Sequence, residues 1–265
     1  SGTFSNQLRL GSASECTACT PGFFCSSTGR TDVQGSCLEG HYCPSGSENR
    51  LGKVGAIDDH VCPAGQYCPA ESAAPTDCPV GTYRQAEGGE TVEDCTACSV
   101  GSYCETTGLV EPTGPCNGGY YCKRKVSTAS PTSGEITGGD ICPVATFCPN
   151  GTHTPQPCDA GTYNDLEGQD ECFICPAGYY CLAGADSYDS SPCPAGHYCP
   201  EGTRIATEYK CPPGTYANET LTSSEGDCVD APAGHYVSGQ ANTEVTGSCE
   251  AGYYCSGGAS SATPS

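Results

Sequence analysis

The chain has 265 residues, a formal net charge of −21, 25 cysteines, no tryptophan and no methionine. With 36 glycines, 21 prolines and only 5 phenylalanines, it has too few large apolar side chains for an extensive core, and the cysteines indicate disulfide stabilisation in an oxidising compartment. The charge argues against nucleic acid or an anionic membrane as a partner, because those surfaces are bound by Lys and Arg. No apolar run approaches the roughly 20 residues of a membrane span.

The sequence predicts a tandem array of seven-residue cells, each with cysteine at positions 1 and 7. Nearly every cell carries glycine at position 4 and an aromatic residue at position 6. An extended chain would hold the two cysteine Cα atoms roughly 20 Å apart, whereas a disulfide needs about 5.5–6 Å, so the backbone must turn inside the cell. The cells run from Cys19 to Cys25, Cys37 to Cys43, Cys62 to Cys68, Cys98 to Cys104, Cys116 to Cys122, Cys142 to Cys148, Cys175 to Cys181, Cys193 to Cys199 and Cys249 to Cys255.

A larger repeat of 77 to 79 residues predicts which cysteines pair. Its copies begin at Cys16, Cys95, Cys172 and Cys228. The third copy lacks both cysteines equivalent to Cys62 and Cys68, and the fourth has Ala231 and Val237 in place of one cell's two cysteines. A lone thiol is a liability in an oxidising compartment, so cysteines that are lost together are predicted to be partners. Every cell is therefore expected to close on itself.

A second motif, Cys-x-x-Gly-Thr-Tyr, begins at three cysteines that have no partner inside a cell. Cys228 persists where its Cys-x-x-Cys neighbour has become Ala231, which argues against bonding within Cys-x-x-Cys. Each motif cysteine is therefore predicted to bond to the next free cysteine. The predicted pairs are Cys78 with Cys95, Cys158 with Cys172, and Cys211 with Cys228. Cys16 remains unpaired within this segment.

The unpaired cysteine predicts that the chain begins in mid-repeat. Gly2-Thr3-Phe4 lies as far before Cys16 as Gly81-Thr82-Tyr83 lies before Cys95, which would place the missing partner two positions ahead of Ser1. The absence of Met likewise predicts a processed chain or a fragment. The predicted segments are the tail of an upstream repeat (1–15), repeat 1 (16–94), repeat 2 (95–171), a shortened repeat 3 (172–227) and a partial, degenerate repeat 4 (228–265).

Secondary structure is expected to be limited to short two-stranded hairpins and turns, with little or no helix. The sequence shows no 3.6-residue periodicity and no long alternating run. Because locally closed cells contact mainly their neighbours, the predicted architecture is an elongated array of small disulfide-rich repeats.

The alternation of Cys-Pro-x-Gly-x-Tyr-Cys, as at residues 175–181, with Cys-x-x-Gly-Thr-Tyr resembles the ephrin-receptor-like cysteine-rich repeat, a relative of the EGF-like and tumour-necrosis-factor-receptor modules. The resemblance covers essentially the whole chain and departs at Ala145, Ala231 and Val237. It implies an extracellular tandem module. Such arrays are similar to those of protist surface proteins, including the mastigoneme proteins that build filaments on flagella, although receptors and matrix proteins carry the same module.

No catalytic, cofactor or metal site is predicted. The Cys-x-x-Cys spacing at Cys16, Cys95 and Cys172 suits zinc, but cysteines lost in twos fit disulfides better. The acidic stretches 87–94 and 167–171 lack the spacing of a calcium loop. Three histidines occupy position 5 of a cell, where other cells carry Gln, Ser or Tyr, so they are expected at the surface: His41, His197 and His235.

Two further features complete the predicted site residues. Each position-6 aromatic side chain is expected to cover the disulfide of its own cell, with a ligand-binding stripe as the alternative. Asn150-Gly-Thr152 and Asn218-Glu-Thr220 are N-glycosylation sequons, and Ser/Thr-rich stretches beside proline favour O-glycosylation.

The sequence favours a non-catalytic structural segment of an extracellular glycosylated filament or cell-surface array. Its expected partners are copies of itself or adjacent repeats and covalent glycans. The alternative is a ligand-binding or adhesion ectodomain of a cell-surface receptor. An enzyme is not expected, because no nucleophile, base or metal constellation is visible.

Overall fold

The computed structural model describes residues 1–7, 10–57, 59–132 and 138–264. Across these residues it contains β-strands of two or three residues and three short 3₁₀ helices, and no α-helix. The 3₁₀ helices are Ala13–Glu15, Val92–Asp94 and Glu225–Asp227. The predicted fold class of small disulfide-rich repeats built from short hairpins is therefore confirmed. Nor does the described part of the chain hold any helix with the length and apolar character that crossing a membrane requires.

The described strands form ten two-stranded sheets, each made of strands that follow one another in the sequence. The pairs are β1 Thr3–Phe4 with β2 Thr17–Ala18, β3 Phe23–Phe24 with β4 Gly35–Ser36, β5 Gln66–Tyr67 with β6 Thr76–Asp77, β7 Thr82–Tyr83 with β8 Thr96–Ala97, β9 Ser102–Tyr103 with β10 Gly114–Pro115, β11 Tyr120–Cys122 with β12 Gly139–Ile141, β13 Thr146–Phe147 with β14 Gln156–Pro157, β15 Thr162–Tyr163 with β16 Phe173–Ile174, β17 Thr215–Tyr216 with β18 Val229–Asp230, and β19 His235–Tyr236 with β20 Gly247–Ser248.

One register recurs in these hairpins. Position 5 of a cell pairs with the residue just before position 1 of the next cell, and position 6 pairs with the residue before that, as in Ser102 with Pro115 and Tyr103 with Gly114. Isolated bridges continue the rule where no strand is assigned, for example His41 with Val61. Each hairpin therefore ties the end of one cell to the start of the next.

Two backbone hydrogen bonds at position 4 join neighbouring cells, as the cells at 98–104 and 116–122 illustrate. The N–H of Cys116 donates to the carbonyl of Gly101 at 3.0 Å, and the N–H of Gly101 donates to the carbonyl of Cys122 at 2.8 Å. The same two bonds recur between successive cells along the described chain.

Two further bonds link each cell to the loop that follows its neighbour. In the same pair of cells, the N–H of Cys104 donates to the carbonyl of Val126 at 2.8 Å, and the N–H of Lys125 donates to the carbonyl of Cys98 at 3.2 Å. With its backbone paired in this way, a cell of seven residues satisfies its polar groups without a long strand or helix.

The Cys-x-x-Gly-Thr-Tyr segments form the same cell as the segments with two cysteines. The N–H of Gly81 donates to the carbonyl of Cys104, and the N–H of Cys98 donates to the carbonyl of Gly81, both at 2.9 Å. The two sequence motifs are thus one backbone unit, and they differ in whether the first cysteine bonds within the cell or to a cysteine beyond it.

Position 4 favours glycine because its backbone is left-handed and, in most cells, closely packed. The position-4 glycines have φ between +75° and +92°. A Cβ on Gly101 would collide with the carbonyl oxygen of Gly151, in the loop after the second cell along. Contacts therefore reach the second neighbour as well as the first, further than the sequence pattern predicts. Ala145 stands at position 4 of its cell with φ +63°.

The buried apolar side chains are almost entirely cysteines. Among the described residues the other fully buried apolar side chains are few and small: Val126, Pro131, Ala217, Ala231 and Val237. The buried interior therefore consists mainly of disulfides.

The chain divides into two compact units. The first comprises residues 1–117, 121–140 and 150–153, and the second comprises residues 118–120, 141–149 and 154–265. The repeated cell is the building block within each unit.

Candidate functional site

The structure contains twelve disulfides, with Cα–Cα distances of 5.7–6.4 Å. They join the same twelve pairs of cysteines that the paired losses predict. Nine close a cell on itself, and three run from position 1 to a cysteine 14 or 17 residues later: Cys78–Cys95, Cys158–Cys172 and Cys211–Cys228. Twelve disulfides in a chain with so small a core are typical of secreted or extracellular proteins.

The cell without cysteines keeps its fold. Ala231 and Val237 are fully buried. The N–H of Ala231 donates to the carbonyl of Gly214, and the N–H of Gly214 donates to the carbonyl of Val237, both at 2.8 Å. The backbone ladder and a small apolar pair can therefore hold one cell in place without its disulfide.

Cys16 is the single cysteine without a disulfide, and all 25 cysteines lie in the described residues. It is partly exposed and follows the 3₁₀ helix Ala13–Glu15, as Cys95 follows Val92–Asp94 and Cys228 follows Glu225–Asp227. Cys16 thus occupies the place at which Cys95 and Cys228 make their disulfides.

Two aspartates, Asp94 from the acidic stretch 87–94 and Asp227, act as caps of these short helices. The carboxylate of Asp94 accepts hydrogen bonds from the N–H groups of Glu90 at 2.7 Å and Thr91 at 3.0 Å. These bonds, the one from Thr91 first, hold the pKa of Asp94 below its ordinary value. Asp227 accepts in the same way from the hydroxyl and N–H of Ser224. In these loops the carboxylates serve local structure.

The three position-5 histidines lie in separate cells and are half-buried, less exposed than the sequence pattern suggests. His41 Nε2 lies 3.1 Å from Asp59 Oδ1, and its Nδ1 lies 3.3 Å from the carbonyl of Glu39. His197 Nδ1 lies 3.2 Å from the carbonyl of Ala195. In the part of the chain that the structure describes, no three His, Cys, Asp or Glu side chains converge as metal ligands would.

The two sequons differ in how they are presented. Asn218 and Thr220 are both exposed, whereas Asn150 is exposed and Thr152 is only 7% exposed. Thr152 follows the turn Cys-Pro-x-Gly, and the equivalent Thr203 donates its hydroxyl to the carbonyl of Pro200 at 2.6 Å. The threonine of the first sequon therefore has a structural reason to be present.

Two position-6 rings, Tyr103 and Tyr198, pack against the next cell, a contact that the expectation of rings covering their own disulfides does not include. Tyr103, from the cell at 98–104, packs against Cys116, Cys122 and Val126. Tyr198, from the cell at 193–199, packs against Cys211, Ala217 and Cys228. The hairpin register explains why these rings reach the next cell. The residue at position 6 pairs with the residue that lies two positions before the first cysteine of the next cell, as Tyr103 does with Gly114. Tyr236 follows the same rule, because its ring lies across Gly247. Nine rings of the series are half-buried: Phe24, Tyr42, Tyr67, Tyr103, Tyr121, Phe147, Tyr180, Tyr198 and Tyr236. Tyr254 is 82% exposed.

Four aromatic side chains form a further cluster that sequence reasoning did not identify. Tyr163 lies 5.9 Å from Phe173 and 5.1 Å from Tyr188, and Tyr179 lies 5.0 Å from Tyr188, measured between ring centroids. We call Tyr163, Phe173, Tyr179 and Tyr188 the tyrosine cluster. The register that pairs Tyr163 with Phe173 could have revealed two of its members.

The one basic cluster of the sequence, Lys123, Arg124 and Lys125, is exposed. Lys123 Nζ lies 5.7 Å from the ring centroid of Tyr121, within the range of a cation–π contact. We call these three residues the basic segment.

The chain matches no protein-family model and no curated protein sequence. The structure itself identifies tandem cysteine-rich hairpin units.

Proposed function

We propose that this chain is a non-catalytic structural segment of an extracellular, glycosylated filament or cell-surface array of the mastigoneme-like kind. The observation that carries the proposal is the repetition of one step. Neighbouring cells are joined by the same four backbone bonds and the same hairpin register, as between 98–104 and 116–122. A chain made of one repeated step can be lengthened without a new kind of contact, which is what a structural array needs.

The distribution of stabilising interactions supports the same proposal. Disulfides close the cells locally, and a seven-residue disulfide loop contributes about 2–3 kcal/mol on the loop-entropy model. Resistance to unfolding is thus spread along the chain. Such a distribution suits a protein exposed to mechanical and proteolytic stress outside the cell.

Glycosylation is part of the proposal, and the two sequons are expected to contribute unequally. Asn218 is the better acceptor on the folded chain, because both it and Thr220 are exposed while Thr152 is buried. Glycans there would add to the polar, acidic exterior.

A ligand-binding or adhesion ectodomain is the second candidate. The tyrosine cluster favours it, because partly exposed aromatic side chains in mutual contact are typical of recognition surfaces. A structural protein that assembles also needs such a surface, because its copies must bind one another.

The experiment is to strip extracellular filaments from the cells that make this protein and label them with antibodies raised against residues 1–265. We expect the antibodies to decorate the filaments at regular intervals. Mass spectrometry of the same filaments should recover peptides of this chain with a glycan at Asn218. Labelling confined to the cell-body membrane, and displaced by a soluble ligand, would instead support the ectodomain.

A further inference from the structure

The tyrosine cluster has ring surface available to a partner. Phe173 is 40% exposed, and the three tyrosines are half-buried. Unlike the position-6 rings, Tyr179 and Tyr188 stand outside the series that covers successive cells. Tyr188 makes edge-to-face contacts with both Tyr179 and Tyr163.

The residues that flank the cluster in the sequence are acidic, and one cation, Arg204, packs beside Gly161, two residues before Tyr163. There is no Lys or Arg between residues 126 and 203. Asp165, Asp186 and Asp189 are exposed and lie within three residues of a cluster tyrosine in the sequence. Burial raises the pKa of Tyr163, and the nearby Asp165 carboxylate raises it further. Aromatic rings beside carboxylates form a surface that attracts cations, through the ring quadrupole and through charge.

We propose that the tyrosine cluster binds the basic segment of a second copy of this chain. The inference rests on the proposed structural function and names the contact by which copies associate. Lys123, Arg124 and Lys125 are the only three adjacent cations in a chain of net charge −21, and all three are exposed. Lys123 already lies over the Tyr121 ring, and Arg stacks on aromatic faces more readily than Lys.

The proposed contact is heterologous, since it joins two different surfaces of the chain. Each copy then has one free tyrosine cluster and one free basic segment after the first contact forms. Heterologous contacts that do not close into a ring generate open polymers. The proposal therefore explains how a strongly acidic chain can self-associate in spite of its net repulsion.

The test is charge exchange, followed by sedimentation velocity at low ionic strength on the disulfide-bonded protein. The wild-type chain should self-associate, and salt should weaken the association because the contact is partly electrostatic. The K123E/R124E variant and the D186K/D189K variant should each lose at least about tenfold in association constant. An equimolar mixture of the two should form heterodimers and associate more strongly than either variant alone, because the intact tyrosine cluster of the first variant can bind the intact basic segment of the second.

Matched variants separate the contact from general charge and folding effects. R50E/K210E makes the same change in net charge at two other exposed cations and should associate as the wild type does, or more weakly by less than the basic-segment variant. Tyr188→Ala should weaken association, whereas Tyr254→Ala, at a more exposed ring, should not. Near-UV circular dichroism checks that each variant is folded.

Undiminished association of both charge-reversed variants would overturn the inference and leave the proposed function standing. A mixture that forms no heterodimer would also overturn it. If the wild-type chain stays monomeric at every concentration and salt, the inference fails, and antibody labelling of filaments then decides the proposed function separately.

Discussion

Alanine at position 4 should destabilise the chain by an amount that depends on the loop facing it. Gly101 and Gly234 have nearly the same backbone, with φ of +77° and +82°. A Cβ at Gly101 would collide with the carbonyl of Gly151, whereas a Cβ at Gly234 has no atom within 4 Å. The two substitutions therefore share the cost of left-handed alanine and differ in the steric cost.

The left-handed conformation costs alanine about 1–2 kcal/mol, partly offset by the about 0.4–1 kcal/mol gained from a stiffer unfolded chain. Gly234→Ala should thus destabilise by about 0–1.6 kcal/mol. Gly101→Ala must also move a loop or a cell, which adds about 1–3 kcal/mol.

The assay is thermal unfolding of the non-reduced protein, followed by near-UV circular dichroism. We expect the midpoint of Gly101→Ala to fall roughly three times as far as that of Gly234→Ala. Equal shifts would refute the reasoning, because they would mean that contact with the second neighbour does not constrain position 4.

Three other predictions follow from single residues. Ala145→Gly should raise stability by up to about 1 kcal/mol, since φ +63° is strained for alanine; a lower unfolding midpoint would contradict this. The folded pKa of Asp94 lies below its ordinary value of 3.8, so its stabilising effect is present above that pH and is lost as the pH falls through the folded pKa. The melting midpoint should therefore fall less steeply with decreasing pH for Asp94→Ala than for the wild type. Equal pH dependence of the two midpoints would exclude the cap as the cause. Thiol labelling of the native protein should modify Cys16 alone, and peptide mapping without reduction should recover Cys98 linked to Cys104; a Cys95–Cys98 peptide would contradict the disulfide scheme.

The sequence predicted the disulfide pairs because lost cysteines leave a visible trace. Ala231 and Val237 show directly which two positions belong together. The common backbone of the two motifs was harder to see, because Cys98 bonds within its own cell whereas Cys78 bonds to Cys95 beyond its cell. Glycine at position 4 and an aromatic residue at position 6 in both motifs were the available signal.

The contacts between cells could not be predicted from residue spacing alone. Which cell a ring packs against depends on the hairpin register. That register pairs Tyr103 with Gly114, two residues before the next cell. Tyr188 belongs to a loop whose path depends on tertiary contacts. The tyrosine cluster therefore emerged only from the structure.

The most direct test of the account is small-angle X-ray scattering of the disulfide-bonded 265-residue segment at a salt concentration that keeps it monomeric. The proposed function predicts an elongated particle, with a radius of gyration well above the roughly 18 Å of a compact protein of this length. A radius of gyration near that value would contradict the account, because the array would then have folded back on itself and could not serve as a segment of a filament.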